Sequence, residues 1–537
     1  MERETHGGDL VLSAAQAHGV NHIFTLSGAH VFPIYDAAVA NQVPIIDVRH
    51  EQSAVFAAEA TARLERTPGL AVVTAGPGVT NGVSATANAF YNGAPLLLLG
   101  GRAPDARWGM GALQEIDQPP LLKPITKSAT TSHSIADLEA DTYKAFEIAR
   151  TPHRGPTFLD IPMDVFFSPG IPKIVDKWQE PKPHCNSTEV SLIADLVNAA
   201  VRPLLILGSD VWAGRAEHEA LAFAENSLIP VITNGTARGI IPRGHQLLAT
   251  KARSYVMKNT DLVIVVGTPL DFRLGYGDFG SARVIHIMDE NSGIAKHVSL
   301  AASTTGDFRA IFQELTNQIQ LSKNSDWITA VKEQNAKGAA RDQELLLAEG
   351  DLIHPARIYG ELLPHLSDDT VVIGDGGDFV SFAGKFIEPA KPGCWLDPGP
   401  FGCLGGGMGG IIAARLARPD SPIVALFGDG ALGFALSELD TLVRHQLPAL
   451  IIVGNNSAWG LEKHPMQSIF GYDVAADLAP QTRYDHVASA LGGAAELITS
   501  AKELGPAIKR GLTAGVPYLL NVITDTAIAY PRTTTGI

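Results

Sequence analysis

Within Gly428-Asp429-Gly430-Ala431-Leu432-Gly433 a carboxylate sits between two glycines, directly after the apolar run 423–427. Twenty-four residues separate Gly430 from Asn455-Asn456, which close a second apolar run at 450–453. The first segment matches G-x-G-x-x-G between a strand and a helix, the spacing of a dinucleotide-binding turn. That reading needs an acidic residue about 20 positions on, at the end of the next strand, to hold a ribose hydroxyl. An amide pair stands there instead, a poor ribose anchor but a good source of oxygen for a hard cation. Magnesium is octahedral, takes few protein ligands and shares its shell with phosphate oxygens. Asp429 and Asn456 would supply a carboxylate and an amide oxygen from the carboxyl ends of neighbouring strands, and the Ala458 carbonyl a third ligand. The Gly430 and Ala431 amides open a helix whose dipole favours phosphate. The residues read as a magnesium diphosphate site, with an ordinary strand–helix turn and an Asn-rich loop as the alternative.

Holding such groups in place calls for buried parallel strands. The apolar runs, such as 95–99, 262–266 and 450–453, are near-continuous rather than alternating, with helix-period segments between them, as in parallel sheets covered on both faces. The fold class is therefore α/β. Residues 70–74 lead into Ala-Gly-Pro-Gly and 423–427 into Gly-Asp-Gly, each followed by a helix, which suggests that the first and last thirds share a topology. At 537 residues the chain has room for three or four domains. A polar, Pro-rich stretch at 168–190 and a charged one at 321–350 place them at about 4–170, 191–320 and 351–537. The net charge of −15 argues against nucleic acid and anionic membrane as partners. The apolar runs fall well short of the roughly 20 residues of a membrane span. Three cysteines without CxxC spacing argue against a disulfide framework or structural zinc. With no export signal read at the N-terminus, the expectation is a cytoplasmic protein.

GDG, 24 residues and then NN resembles the thiamine diphosphate signature of the acetolactate synthase, pyruvate decarboxylase and 2-hydroxyacyl-CoA lyase superfamily. Residues 47–59 (DVRHEQSAVFAAE), 76–82 (GPGVTNG) and 113–118 (LQEIDQ) resemble it too, so the likeness covers essentially the whole chain. It implies three parallel-sheet domains: pyrimidine-binding, central nucleotide-binding-like and diphosphate-binding. It also implies thiamine diphosphate with Mg2+, held by Gly428, Asp429, Gly430, Ala431, Asn456 and Gly460, with Asp429, Asn456 and Ala458 as metal ligands. In the family a glutamate from one subunit exchanges a proton with the aminopyrimidine of a cofactor bound by another, and the match nominates Glu51. Leu404 is nominated as the apolar residue that keeps the cofactor bent. Gln114 is expected to face the substrate oxygen as a donor; His30 is either a catalytic neighbour or a satisfied structural histidine. The active unit would be a homodimer at minimum, and a homotetramer is expected.

Substrate is read from departures. Acetolactate synthases typically carry tryptophan where this chain has Pro465 and phenylalanine where it has Leu113, and both differences count against acetolactate synthesis. Glu462 instead stands where pyruvate decarboxylase has a catalytic acid. The run 462–465 (EKHP) and residues 25–33 (TLSGAHVFP) are similar to actinobacterial-type 2-hydroxyacyl-CoA lyases, and Ala29-His30 is similar to benzaldehyde lyase. The resemblance thus implies a carbon–carbon lyase or carboligase that cleaves a 2-hydroxyacyl-CoA to formyl-CoA and an aldehyde or ketone. Acetolactate synthesis from a 2-keto acid and benzaldehyde-lyase-like acyloin chemistry are the alternatives. A nicotinamide oxidoreductase lacks its ribose anchor, and Glu51, Asp429 and Asn456 together oppose a non-catalytic paralogue.

Between Arg238 and Arg283 seven basic residues (Arg238, Arg243, Lys251, Arg253, Lys258, Arg273 and Arg283) face three acidic ones (Asp261, Asp271 and Asp278). This local excess suggests an anionic ligand, or else scattered solvated charge. Related enzymes bind FAD, ADP or the nucleotide end of coenzyme A in this domain, and 267–277 (GTPLDFRLGYG) resembles their nucleotide-binding loop. The short chain after Tyr530 is expected to leave little for a lid over the substrate.

Overall fold

The computed structural model describes residues 3–173, 176–320 and 325–530. The segment after Tyr530, on which the expectation about a lid falls, lies outside the described residues.

Among the described residues seventeen strands form three sheets, each flanked by helices. The first contains β1 (Ile23–Thr25), β2 (Ile45–Asp47), β3 (Gly69–Val73), β4 (Leu96–Arg102), β5 (Ala129–Thr131) and β6 (Thr157–Pro162) in the order 2-1-3-4-6-5. The second contains β7 (Pro203–Leu207), β8 (Val231–Thr233), β9 (Leu262–Val266), β10 (Arg283–Met288) and β11 (Ala302–Thr305) in the order 11-10-9-7-8. The third contains β12 (Val371–Asp375), β13 (Trp395–Leu396), β14 (Ile423–Gly428), β15 (Leu450–Asn455), β16 (Ala494–Ile498) and β17 (Tyr518–Ile523) in the order 13-12-14-15-17-16. All pairings between these strands are parallel. The outer two sheets have the same order when each is counted from its first strand. The topology suggested by the two glycine turns is therefore real.

The continuous apolar runs occupy central strands. Leu96 to Leu99 of β4 and Leu262 to Val266 of β9 are fully buried, because helices cover both faces. Burying a leucine side chain contributes about 1.5–3 kcal/mol, so residues at alternate positions of one strand stabilise two different helix layers.

The first and third domains are joined by the helices Glu51–Glu65 and Gly406–Ala417, which pack on each other. A Cβ on Gly409 would stand 2.6 Å from Phe56 Cβ and 2.7 Å from the Ala57 nitrogen. Glycine is required there for the close approach of the two helices. Among the described residues no helix is long and apolar enough to cross a membrane.

Candidate active site

The order 2-1-3-4 reverses direction between the first and third strands of each outer sheet. Such switch points leave a crevice beyond the carboxyl ends of the strands, where α/β proteins bind ligands. Both crevices hold residues nominated from the sequence.

In the third domain β14 and β15 are neighbours, with Gly428 opposite Gly454. Gly428, Asp429, Gly430, Ala431, Asn456, Ala458, Gly460, Glu462 and Leu404 line one cavity of about 610 Å³. Asp429 opens the short helix Asp429–Gly433. Its Oδ1 accepts from the Gly430 amide at 2.9 Å and its Oδ2 from the Ser457 amide at 2.7 Å. Burial pushes its carboxyl up to about 6 against those two amides. A bound divalent cation reverses that penalty.

The asparagine pair divides its work. Asn455 is buried and donates to the Thr482 carbonyl and Asn521 Oδ1, tying β15 to β17 and its flank. Asn456 turns toward the cavity, its Oδ1 accepting from the Ala458 amide at 3.1 Å. The turn between them and the next helix places Ser457 in the left-handed region, φ 56°, a conformation that costs a non-glycine residue of order 1 kcal/mol and recurs at functional sites. A Cβ on Gly428 would meet nothing within 4 Å, so glycine there leaves room for a ligand. One carboxylate, one amide oxygen, one carbonyl and the start of a short helix in a space of this size suit a diphosphate carried on a divalent cation. The residues present therefore fit that group.

Glu462 lies in the first turn of the helix Gly460–Phe470, with Pro465 inside the same helix. Trp459 packs over the glycine turn, since a Cβ on Gly430 would reach its ring at 2.4 Å. Sequence reasoning missed Trp459 and Asp378 on the cavity wall, and it counted Arg238, which also lines this cavity, only with the central-domain charges. Arg238 donates to the Gly384 and Ile387 carbonyls and stacks on Trp395.

Glu51, His30 and Gln114 do not line that cavity. They lie at the carboxyl edge of the first sheet. Glu51 begins its helix, is buried, and accepts from Asn81 Nδ2 at 3.0 Å. His30 Nδ1 is 3.0 Å from Thr74 Oγ1, and Thr74 Oγ1 donates to Gln114 Oε1 at 3.4 Å. Burial lowers the His30 imidazole below its usual range, which favours the neutral ring near pH 7. Gly101 leaves it space, because a Cβ there would stand 2.4 Å from His30 Cβ. Gln114 is itself left-handed, φ 61°. Gln118 explains why two motifs accompany each other: its Oε1 accepts from the Gly76 amide and its Nε2 donates to the Gly101 carbonyl. The 113–118 loop is thereby pinned on the GPG turn. Asn81 and Thr74 were not singled out from the sequence, although Asn81 falls inside the quoted GPGVTNG.

The basic residues of the central domain do not gather into one cluster: of the seven, Arg238 and Arg273 line the larger cavity. Arg243 pairs with Asp368, Lys251 with Asp342, and Arg273 with Asp271, while Arg253 donates to the Arg273 carbonyl. Of the seven, Arg273 alone lines the cavity of about 530 Å³ at the ends of β7, β9 and β10. Its other cations, Lys127 and Arg154, come from the first domain, and a count along the central sequence could not find them. Arg273 also lines the larger cavity, so the two spaces meet at this side chain.

In the smaller cavity His153 Nδ1 lies 3.2 Å from Asp289 Oδ1 and 3.8 Å from Asp210 Oδ2. The charge of Asp210, and then the bond to Asp289, raise its imidazole to about 9 in spite of burial. The pair joins the first and central domains. Because the folded value exceeds the ordinary one of about 6.5, its stabilisation is complete below about pH 6.5 and is lost as pH rises through about 9. Burial lifts the Asp210 carboxyl to about 6, so His153→Gln should lower the melting temperature by a few degrees at pH 7, where both partners are charged, with the gap from wild type closing by about pH 9.5. An equal gap at both pH values in thermal scans would refute a charged His153.

Three family models match the chain: "Thiamine pyrophosphate enzyme, N-terminal TPP binding domain" at 5–121, "central domain" at 190–315, and "C-terminal TPP binding domain" at 375–522. The chain belongs to the thiamine pyrophosphate enzymes. Among its relatives, the acetolactate synthase large subunit IlvG of Mycobacterium tuberculosis is 43% identical over 98% of this chain and 97% of its own. The 2-hydroxyacyl-CoA lyase 2 of Caenorhabditis elegans is 34% identical over 92% of this chain and 84% of its own, and the human 2-hydroxyacyl-CoA lyase 2 is 32% identical over 93% and 86%. The resemblance read from the GDG…NN spacing is thus correct at the level of the family.

Proposed function

We propose that this protein is a thiamine diphosphate- and Mg2+-dependent lyase that cleaves a 2-hydroxyacyl-CoA to formyl-CoA and an aldehyde or ketone. The observation that carries the substrate class is the junction at Arg273. The cavity with the diphosphate-type donor set shares the Arg273 side chain with one lined by Lys127 and Arg154. A thioester with a nucleotide tail can lie across both, with its phosphates among these cations. Whether that second space takes the tail of coenzyme A or a separate ADP or FAD is part of the proposal, and its cationic and acidic lining suits a nucleotide's phosphates and ribose.

When bound, thiamine diphosphate supplies a nucleophilic carbon and an electron sink. Asp429, Asn456 and the Ala458 carbonyl hold Mg2+; Gly430 and Ala431 present amides to the diphosphate. Leu404 supports the bend from below. Glu51, on a different face of the same chain, holds the pyrimidine-side proton for the cofactor of a second subunit, so the working unit is at least a homodimer, and a homotetramer is our reading. Asn81 orients Glu51. Gln114, set by Thr74, donates to the substrate oxygen, with neutral His30 beside it. Glu462 exchanges a proton with the substrate-derived oxygen in the later step. Pro465 cannot supply the aromatic wall described for acetolactate synthases. The cytoplasm is the proposed compartment.

Incubation with thiamine diphosphate and Mg2+ should yield formyl-CoA from a 2-hydroxyacyl-CoA. Acetolactate from pyruvate, with no formyl-CoA, would overturn this reading in favour of the activity named for the mycobacterial relative. Glu462→Ala should lower kcat by about 10²-fold with cofactor affinity unchanged, and wild-type pre-steady-state rates would remove Glu462 from the reaction.

A further inference from the structure

Asp375 ends β12, fully buried beneath the turn that carries Leu404. Its Oδ2 accepts from the Gly405 amide at 3.0 Å and from the Gly407 amide at 2.8 Å. These are donors at the start of the helix Gly406–Ala417, which has no side-chain cap of its own. Gly405 is left-handed, φ 91°, so the chain reverses sharply just after Leu404. The carbonyl of the same peptide unit, Leu404 O, accepts from Gln52 Nε2 at 3.3 Å. Leu404 therefore lines the cavity from a backbone whose following peptide unit is held at both its carbonyl and its amide. The carboxylate is an expensive choice for a packing position: burial pushes it up to about 7 even with both amides opposing.

We propose that Asp375 is the positioning residue for Leu404, setting through the Gly405 and Gly407 amides the height at which that side chain meets the cofactor. This rests on the reading of Leu404 as the support of the bent cofactor. A carboxylate can accept from both amides at once. The Gly405 amide also reaches Asp375 Oδ1 at 3.3 Å, so an asparagine that keeps its oxygen in the Oδ2 place sets its NH2 against that amide donor, and the turn shifts although the volume is kept. The geometry also accounts for the neighbouring glycine, since a Cβ on Gly407 would stand 2.9 Å from Asp375 Cβ.

The test separates the two readings. In the holoenzyme, Leu404→Ala should slow exchange of the cofactor C2 proton with D2O, which examines Leu404 alone. Asp375→Asn should slow the same exchange by about 10²-fold, the cost of a misplacement near 1 Å, with cofactor affinity by calorimetry within about threefold. The double variant should be no slower than the slower single one, because both act through one side chain. In the apo protein, Asp375→Asn should also speed amide exchange at Gly405 and Gly407. Normal C2 exchange in Asp375→Asn beside a slowed Leu404→Ala, or effects that multiply in the double variant, would overturn the role of Asp375 and leave that of Leu404. Normal exchange in Leu404→Ala would overturn both. If Asp375→Asn does not fold, a crystal structure of the wild-type holoenzyme decides: Leu404 against the cofactor with Asp375 on both amides supports the proposal, and a cofactor held away from Leu404 overturns it.

Discussion

Glu51→Gln should lower kcat by about 10²–10⁴-fold, the range general acid–base groups contribute, while the protein folds and binds its cofactor normally. Folding is retained because the amide oxygen of glutamine can still accept from Asn81 Nδ2, and the Glu51–Glu65 helix keeps its His50 cap. Cofactor affinity is retained because Glu51 lies outside the cavity that holds the diphosphate-type donors. The informative measurement is turnover with saturating thiamine diphosphate and Mg2+, alongside calorimetry of cofactor binding. Turnover near wild type would remove Glu51 as the proton relay. A variant that loses affinity as well would show that the residue holds the ring rather than protonating it.

Asp429→Ala should weaken the joint binding of Mg2+ and cofactor by at least about 100-fold, since even partners behind the metal ligands cost 10–100-fold when removed. The loss has two parts. The carboxylate is the one anionic group in the proposed ligand set. It also fixes the Ser457 amide, and with it the turn that presents Asn456 and Ala458. Wild-type protein at 100 times its Kd should gain about 2.7 kcal/mol from the cofactor, read as a rise in melting temperature. In Asp429→Ala that rise should vanish at the same concentrations. An unchanged shift, or unchanged affinity by calorimetry, would exclude Asp429 from the metal site.

The two variants probe opposite halves of one proposed site. Glu51, His30 and Gln114 face the crevice of the first sheet, and Asp429, Asn456 and Glu462 that of the third. Yet the halves are physically linked within the chain. Gln52, next to Glu51, donates to the Leu404 carbonyl, and the Arg49 and His50 amides donate to the Glu438 carboxylate. The helix that presents Glu51 to a second subunit in the proposed dimer therefore braces the cofactor support of its own.

What the sequence determined by itself is local or repetitive. Buried parallel strands were legible in uninterrupted apolar runs, because a strand covered on both faces has no polar side. The glycine turns were legible because a strand, a turn and a helix start are consecutive in the chain. The paired thirds followed from seeing that unit twice, and the family from the spacing of GDG and NN. The role of charge was not legible in the same way. Of the seven basic residues counted along 238–283, Arg243, Lys251 and Arg273 belong to three separate ion pairs, and the cations that share the smaller cavity with Arg273, Lys127 and Arg154, precede it by more than 100 residues. Only tertiary structure decided that Thr74 bridges His30 and Gln114, that Asn455 is structural while Asn456 faces the cavity, and that Asp375 grips the turn after Leu404. The reason is physical: a hydrogen bond depends on distance in space, and the partners in these contacts are 30 to 66 residues apart in the chain. Spacing specifies a turn; packing specifies which atoms meet across it.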